Sequence, residues 1–304
     1  MTRAKLVVSL LAVATSISKD YIPTDPIALI QAHYALYDMG KDERVSALLL
    51  DGPPGTGKTF LAKHLALLLD AILIQFQIFP GCDRSDLLWD NTYSKDNPGD
   101  GILVQSITSS QMRPTVLLLD ELDKADVRVD SFLLNFLNEG FIFLPKIGEL
   151  RANTANLLVV LTKNDMRDAS PPLMRRCRTV YMDWPSVALE TQIIRGSLPQ
   201  VTVAACASFL TLPNALRRNP KIIKAPSTHE IVRLLSDLLD LIKLKANDIR
   251  VGSFYINSIT QNPKDRIYIE HSPAFLGTKI REILAESAEN WIPKESPLSP
   301  NLIL

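Results

Sequence analysis

The sequence predicts an α/β fold: a mostly parallel sheet covered by helices on both faces, followed by a smaller helical domain. Three observations predict it. Short apolar runs at 45–50, 71–79, 115–119, 156–162 and 179–182 alternate with stretches of helical periodicity, the pattern of strands joined by crossover helices. A glycine-rich loop, Gly52-Pro53-Pro54-Gly55-Thr56-Gly57-Lys58-Thr59, separates the first run from an apolar helix, the context that a phosphate-cradling loop requires. After Trp184-Pro185 the strand-like runs give way to helices.

Taken in order, residues 1–44 are an N-terminal segment and linker, with a helix at 26–37 marked by Ile27, Ile30, Ala35 and Leu36 and ended by the turn at 39–43. Residues 45–185 form the α/β domain. Its first strand, 45–50, leads through the loop into a helix at 60–68, and the second strand, 71–79, stops at Pro80-Gly81. A polar stretch, 83–101, is followed by a short helix at 102–107 and a buried strand at 115–119. An amphipathic helix at 129–139 ends at Gly140. Residues 141–144 and 147–150 are placed to pair as a hairpin across Pro145, before strands at 156–162 and 179–182. Residues 186–292 form the helical domain, with helices at 187–196, 201–212, 227–245 and 277–291. Within it, 253–257 and 266–269 read as either extended structure or loop, and 293–304 is a mobile or contact-making tail.

Among the 304 residues, 46% are hydrophobic, enough for a real core. Lys plus Arg and Asp plus Glu both number 33, so no global charge excess draws the chain to nucleic acid or to an anionic membrane. Cys82, Cys177 and Cys206 are widely spaced and lack metal-ligand spacing. Reduced thiols in a cytoplasmic setting are the simplest reading.

The loop chemistry fixes its residue types. Glycines let successive backbone N–H groups turn toward an anion, and the following helix adds its unpaired N–H groups and positive dipole end. Lys58 can reach the β- and γ-phosphates of a nucleoside triphosphate, and the Thr59 hydroxyl can ligate Mg²⁺. The strand at 115–119 ends in Asp120-Glu121. Asp120 can hold Mg²⁺, largely through water, and Glu121 can polarise the attacking water. Asp123 either extends that acidic cluster or caps the next helix. Asn164 follows the fourth strand, where a neutral side chain can bond both the water and the γ-phosphate. These groups lie at the carboxyl ends of strands, where such sheets bind ligands. Arg175, Arg176 and Arg178 precede or open the fifth strand; a guanidinium on the transferring phosphoryl group contributes about 10³–10⁵ in rate. Arg178 alternates with strand residues and reads as the member of the three that lies on a solvated basic edge. Leu6 to Ala14, preceded by Arg3 and Lys5, has the charge and length of a secretory signal's apolar region. A buried element of the folded protein is preferred, because a triphosphate-hydrolysing loop is useful only where ATP is present. No other stretch reaches the roughly 20 apolar residues of a membrane span.

The segments 52–59, 117–121, 161–164 and 173–176 occur in the order and spacing of an AAA+ ATPase of the P-loop NTPase superfamily, over roughly residues 45 to 240. Residues 79–88, 101–104 and 120–125 resemble the MoxR-type branch. The resemblance implies an αβα sandwich with a C-terminal helical lid. It assigns Lys58 and Thr59 to Walker A, Asp120 and Glu121 to Walker B, and Asn164 to the first sensor. Arg175 and Arg176 match the paired arginines that act in trans, with Arg176 the first choice. The segment 82–90 falls at or beside the family's pore-facing loop. ATP and Mg²⁺ are the implied cofactors, a homo-oligomeric hexameric ring the implied assembly, and a protein client and a von Willebrand type A partner the implied contacts. The chain departs from the family at the second sensor, where His229 stands in place of the usual arginine and Arg233 lies one helical turn on. With Ser227 as cap, His229 also reads as a plain helix-entry residue. Two further readings stand beside the ATP-driven remodeller. One is a nucleic-acid motor or loader using a local basic face of Arg217, Arg218, Lys221, Lys224, Lys243 and Lys245. The other is a slow regulatory nucleotide switch in a defence complex.

Overall fold

Parallel strands buried on both faces read as continuous apolar runs, and three such runs form the centre of the five-stranded sheet of this protein. The computed structural model describes residues 26–90, 99–145, 148–164, 166–243 and 262–271. The chain divides into two compact units, residues 1–184 and 185–304. In chain order the first begins with α1 (Pro26–Asp38), β1 (Ser46–Asp51), α2 (Lys58–Leu68), β2 (Ile72–Gln77), α3 (Arg84–Leu88), and the two-residue strands β3 (Trp89–Asp90) and β4 (Gly99–Asp100). It continues through α4 (Ile102–Met112), β5 (Thr115–Asp120), a 3₁₀ turn (Leu122–Lys124), α5 (Val127–Glu139), β6 (Phe141–Leu144), β7 (Gly148–Arg151), β8 (Leu157–Thr162), α6 (Pro171–Arg176) and β9 (Arg178–Tyr181).

The sheet order is β2-β5-β8-β1-β9, and every pairing is parallel. Side chains alternate between its faces, as a period of two requires. Ala47, Leu49, Leu117, Leu119, Val159 and Leu161 enter one core with residues of α4 and α5. Leu48, Leu50, Val116, Leu118, Leu158 and Val160 enter the other with residues of α1 and α2. The expected α/β sandwich is therefore present, and the β6–β7 pair forms the antiparallel hairpin expected across Pro145.

The first unit differs from the expectation at α3, β3 and β4, which lie in the stretch read only as polar, and at two further elements. The helix expected at 102–107 runs on to Met112. Its polar continuation is accommodated because the Ser106 and Ser110 hydroxyls donate back to the Leu103 and Ile107 carbonyls at 2.9 and 2.6 Å. The second is α6, which no apolar periodicity announced; Pro171 and Pro172 open it with missing N–H groups at positions where helices leave them unpaired anyway.

In the second unit, α7 (Val187–Ser197), α8 (Val203–Phe209), α9 (Thr211–Arg217), α10 (Thr228–Lys243) and α11 (Pro263–His271) share a core that includes Ile194, Phe209, Leu216, Ile231 and Leu235. The single helix expected at 201–212 is two, and 266–269 lies inside α11. Asn262, accepting from the Lys264 N–H at 2.9 Å, and Pro263 at the first turn supply the start signal for α11. The expected elements at 253–257, 277–291 and 293–304 and the apolar N-terminal run lie outside the described residues. No helix among the described residues is long and apolar enough to cross a membrane.

The second unit is pinned by a buried ion pair. Both Arg217 terminal nitrogens donate to Glu190, at 2.7 and 2.8 Å, and the Thr228 hydroxyl donates to the same carboxylate at 2.7 Å. Arg217 and Glu190 are 2% and 0% exposed. Removing one partner of such a pair strands the other charge and destabilises by about 3–5 kcal/mol. Glu190→Gln is therefore expected to lower the urea midpoint of this unit markedly, read by circular dichroism; an unchanged midpoint would show the pair to be energetically neutral.

Candidate active site

The site begins where β1 runs out. Gly52 follows it at φ +133°, and a Cβ there would lie 2.2 Å from the Met182 carbonyl oxygen, so only glycine passes. The loop ends at Gly57, left-handed at φ 94°, which caps α2. Lys58 is 5% exposed, and its ammonium donates to the Gly52 and Pro53 carbonyls, both at 2.7 Å. The loop is thus curled around a cation, and Thr56 within it is fully buried. Gly52 through Lys58 are brought together as one cradle whose tip, Pro54-Gly55, is exposed.

Sheet register supplies the rest. Gln77 pairs with Asp120, Leu119 with Leu161, and Leu50 with Thr162. One step past those pairs, polar side chains meet. The Thr59 hydroxyl lies 3.2 and 3.0 Å from the two Asp120 oxygens. The Thr162 hydroxyl donates to Asp120 Oδ1 and accepts the Glu121 N–H at 2.9 Å. A single hydroxyl can do both, being one donor and an acceptor. Thr162 was not singled out from the sequence; its place as the last strand residue, two before Asn164, was the available signal.

Glu121 is one of two non-glycine residues with positive φ among the described residues, at φ 62° and ψ 49°. Such a conformation costs of order 1–3 kcal/mol and persists only where the surroundings enforce it. The surroundings here are explicit. Glu121 N–H is held by Thr162, and its carboxylate accepts from Gln77 Nε2 at 2.7 Å and from the Lys124 ammonium. Burial pushes the Glu121 carboxyl up, but hydrogen bonds from Lys124 and Gln77 and the charges of Lys124 and Lys58 outweigh it and hold it below its ordinary value.

Asp123 lies inside the 3₁₀ turn, buried, with Oδ2 accepting from the Met166 N–H at 3.3 Å; the cap of α5 is Asp126. Asn164 follows β8, half-buried, and the Lys163 N–H beside it donates to the Leu50 carbonyl at 2.9 Å. Behind it, Arg167 Nε donates to Ala125 O and its Nη2 to Leu122 O, while the guanidinium grips Asp130, which also accepts the Ser170 N–H at 2.7 Å. This buried network ties the carboxylate turn to the start of α6.

The three arginines separate. Arg176 Nη2 donates to the Val45 and Leu137 carbonyls at 2.9 and 2.7 Å, and burial pushes its pKa down. Arg178 pairs with Asp38 and lies over the Tyr34 ring. Arg175 is exposed at the last turn of α6. His229 and Arg233 are both exposed on α10, and Ser227 and Glu230 form a reciprocal cap at its start.

The donor set fits a nucleotide and Mg²⁺. Among the described residues no three acidic, His or Cys side chains cluster to hold a metal alone, and Mg²⁺ is ordinarily held by one or two carboxylates together with substrate phosphates. Adjacent Thr59 and Asp120 oxygens meet that requirement, and the buried Lys58 ammonium and glycine-rich backbone meet that of a polyphosphate.

Sequence and fold comparisons agree with this geometry. The family model of the AAA domain (dynein-related subfamily) matches residues 47–177, so this chain carries an AAA domain, a nucleotide-binding module of the P-loop NTPase superfamily. The Lon protease of Mycoplasma mobile is 31% identical over 153 residues, covering 48% of this chain and 18% of that protein. The Lon protease of Mycoplasmopsis agalactiae is 26% identical over 249 residues, covering 78% and 24%. This chain therefore spans about a quarter or less of those relatives. Among solved structures, a closed-state reconstruction of Hsp104 with ATPγS and FITC casein superposes at TM-score 0.51 with 18% identity, covering 90% of this chain and 48% of that one. That likeness is one of fold: an AAA+ sandwich.

Because the folded-state pKa of Glu121 is depressed, its clasp contributes stability above the ordinary glutamate value of 4.5 that is lost as pH falls through the lower folded value. Lys124→Met is expected to move the Glu121 titration upward toward 4.5, followed by carboxyl ¹³C NMR. An unmoved titration would show that Lys124 does not hold it.

Proposed function

We propose that this chain is an ATP-dependent remodeller of the MoxR AAA+ type that hydrolyses ATP at the interfaces of a homo-oligomeric, hexameric ring to move protein clients. The observation that carries the reading is the hydrogen-bonded run Thr59–Asp120–Thr162–Glu121 N–H at adjacent strand ends, with the Lys58 ammonium held in the loop by the Gly52 and Pro53 carbonyls and its charge acting on Glu121.

In this reading the loop N–H groups and Lys58 take the β- and γ-phosphates in place of the Gly52 and Pro53 carbonyls. Thr59 and Asp120 would hold Mg²⁺, which would supply charge neutralisation to the phosphates. Glu121, already ionised, polarises the attacking water once released from Gln77 and Lys124, and Asn164 bonds the water and the γ-phosphate. Arg175 of a second copy stabilises the charge that develops on the transferring phosphoryl group. Arg175 now precedes Arg176 as the candidate, because Arg176 is engaged with two carbonyls of its own unit whereas Arg175 faces solvent. A von Willebrand type A partner and a cytoplasmic setting belong to the same proposal, through the resemblance of residues 79–88 and 120–125 to MoxR-type chains.

The clasp on Glu121 favours a second reading, a regulatory switch that turns over slowly until a partner frees the carboxylate. The nucleic-acid reading loses part of its basic face: Arg217 is buried against Glu190, Lys224 pairs with Glu230, and Lys221 lies over Tyr268.

Steady-state ATP turnover against protein concentration, with assembly size followed by light scattering, tests the proposal. Turnover per subunit is expected to rise cooperatively as a ring forms. Glu121→Gln should bind ATP without turning it over, and Arg175→Ala should lose about 10³-fold or more in rate with the ring intact. Concentration-independent turnover, or an Arg175→Ala variant as fast as wild type, would contradict interface hydrolysis. A fully formed ring that binds ATP and stays inactive would support the switch instead.

A further inference from the structure

We infer that Lys163 and Asp51 form an ionic strap that passes the γ-phosphate contact at Asn164 to the phosphate loop, which makes Lys163 a positioning residue for discriminating ATP from ADP. The inference rests on the proposed roles of that loop and of Asn164.

The strap is a consequence of register. Leu50 pairs with Thr162 across β1 and β8, so the next residues on each strand, Asp51 and Lys163, meet just beyond the ladder. Lys163 Nζ lies 2.8 Å from Asp51 Oδ1 and 3.5 Å from Asp168 Oδ1. Lys163 is 3% exposed and Asp51 17%. The same Asp51 oxygen accepts the Gly52 N–H at 2.7 Å, so it touches the first residue of the loop and the ammonium together. The backbone on either side is equally fixed: Lys163 N–H donates to Leu50 O at 2.9 Å, and Met182 N–H donates to Asp51 O at 2.7 Å.

Lys163 sits between Thr162, whose hydroxyl holds Asp120 and the Glu121 N–H, and Asn164. A buried ammonium is expensive to desolvate, and a purely apolar pair is often as stable as a buried ion pair. Burial pulls the Lys163 pKa down, yet the hydrogen bond to and the charge of Asp51, with Asp168 behind it, raise it overall, so the charge is retained. What an apolar pair cannot do is transmit a directional pull. A γ-phosphate that draws Asn164 displaces the adjacent Lys163 backbone, and the ion pair carries that displacement to Asp51 and the Gly52 N–H. ADP lacks the group that starts the motion.

The test is equilibrium binding of ATPγS and ADP to the full chain, comparing wild type with Lys163→Met, Lys163→Arg and the double variant Asp51→Asn/Lys163→Met. The double variant removes both charges and keeps the comparison usable if the single change does not fold. Thermal unfolding with ADP present checks each fold. Lys163→Met and the double variant are expected to weaken ATPγS about tenfold, inside the 5–150-fold span of typical site couplings, with ADP affinity unchanged. Lys163→Arg should recover most of the loss. Equal weakening of both nucleotides would reduce the pair to a structural clasp and overturn the inference, as would unchanged affinity for both. Wild type that binds neither nucleotide would overturn the site itself, and the strap with it.

Discussion

The Thr162 hydroxyl is the contact on which the rest of the site depends. It donates to Asp120 and accepts the Glu121 N–H, so one side chain from β8 sets the Asp120 carboxylate and the Glu121 backbone at the end of β5. Asp120 in turn meets Thr59, the second residue of the helix that the phosphate loop opens. Two strand ends and a helix start are therefore locked in one hydrogen-bonded chain, and Glu121 is held in a left-handed conformation that it would not adopt in isolation. Hydrogen bonds linked this way restrict one another in a poorly hydrated setting. The helix after the loop, the Asp120 carboxylate and the Glu121 backbone consequently share one geometry.

The same arrangement explains what the sequence could and could not disclose. Strands β1, β5 and β8 are almost wholly buried, so their residues had to be apolar, and the runs were visible. Gly52 to Thr59 was visible because glycine is required where a Cβ would lie 2.2 Å from Met182 O and where the chain turns left-handed at Gly57. The hold on Glu121 was not visible, because Gln77 reaches it across β2 and β5. Register is a property of pairing between distant segments. The pairing of Lys163 with Asp51 was hidden for the same reason, although Lys163 lies within the segment 161–164 and Asp51 directly precedes Gly52. The far end of α4 was missed because its serines satisfy themselves inside the helix, against their usual turn preference.

The adjacent arginines show how far spacing alone carries an argument. Arg175 and Arg176 are equivalent in sequence, yet a helix turns successive side chains by about 100°. One faces the carbonyls of Val45 and Leu137, and the other faces solvent. An arginine committed to its own backbone stabilises a fold, whereas a solvent-facing one is available to another molecule. Arg167 and Asp130, joined through Ser170 to the start of α6, connect that exposed position to the turn that carries Glu121. Buried hydrogen bonds thereby run from the helix that carries Arg175 to the turn that carries Glu121.

Complementation between two inactive subunits tests the shared site most directly. Glu121→Gln protein keeps Arg175, and Arg175→Ala protein keeps Glu121. If hydrolysis is shared between copies, mixing the two and letting them co-assemble restores ATP turnover at interfaces that combine both intact residues. Turnover that stays at the level of the separate variants in a verified mixed assembly would contradict it, placing every essential group within one subunit.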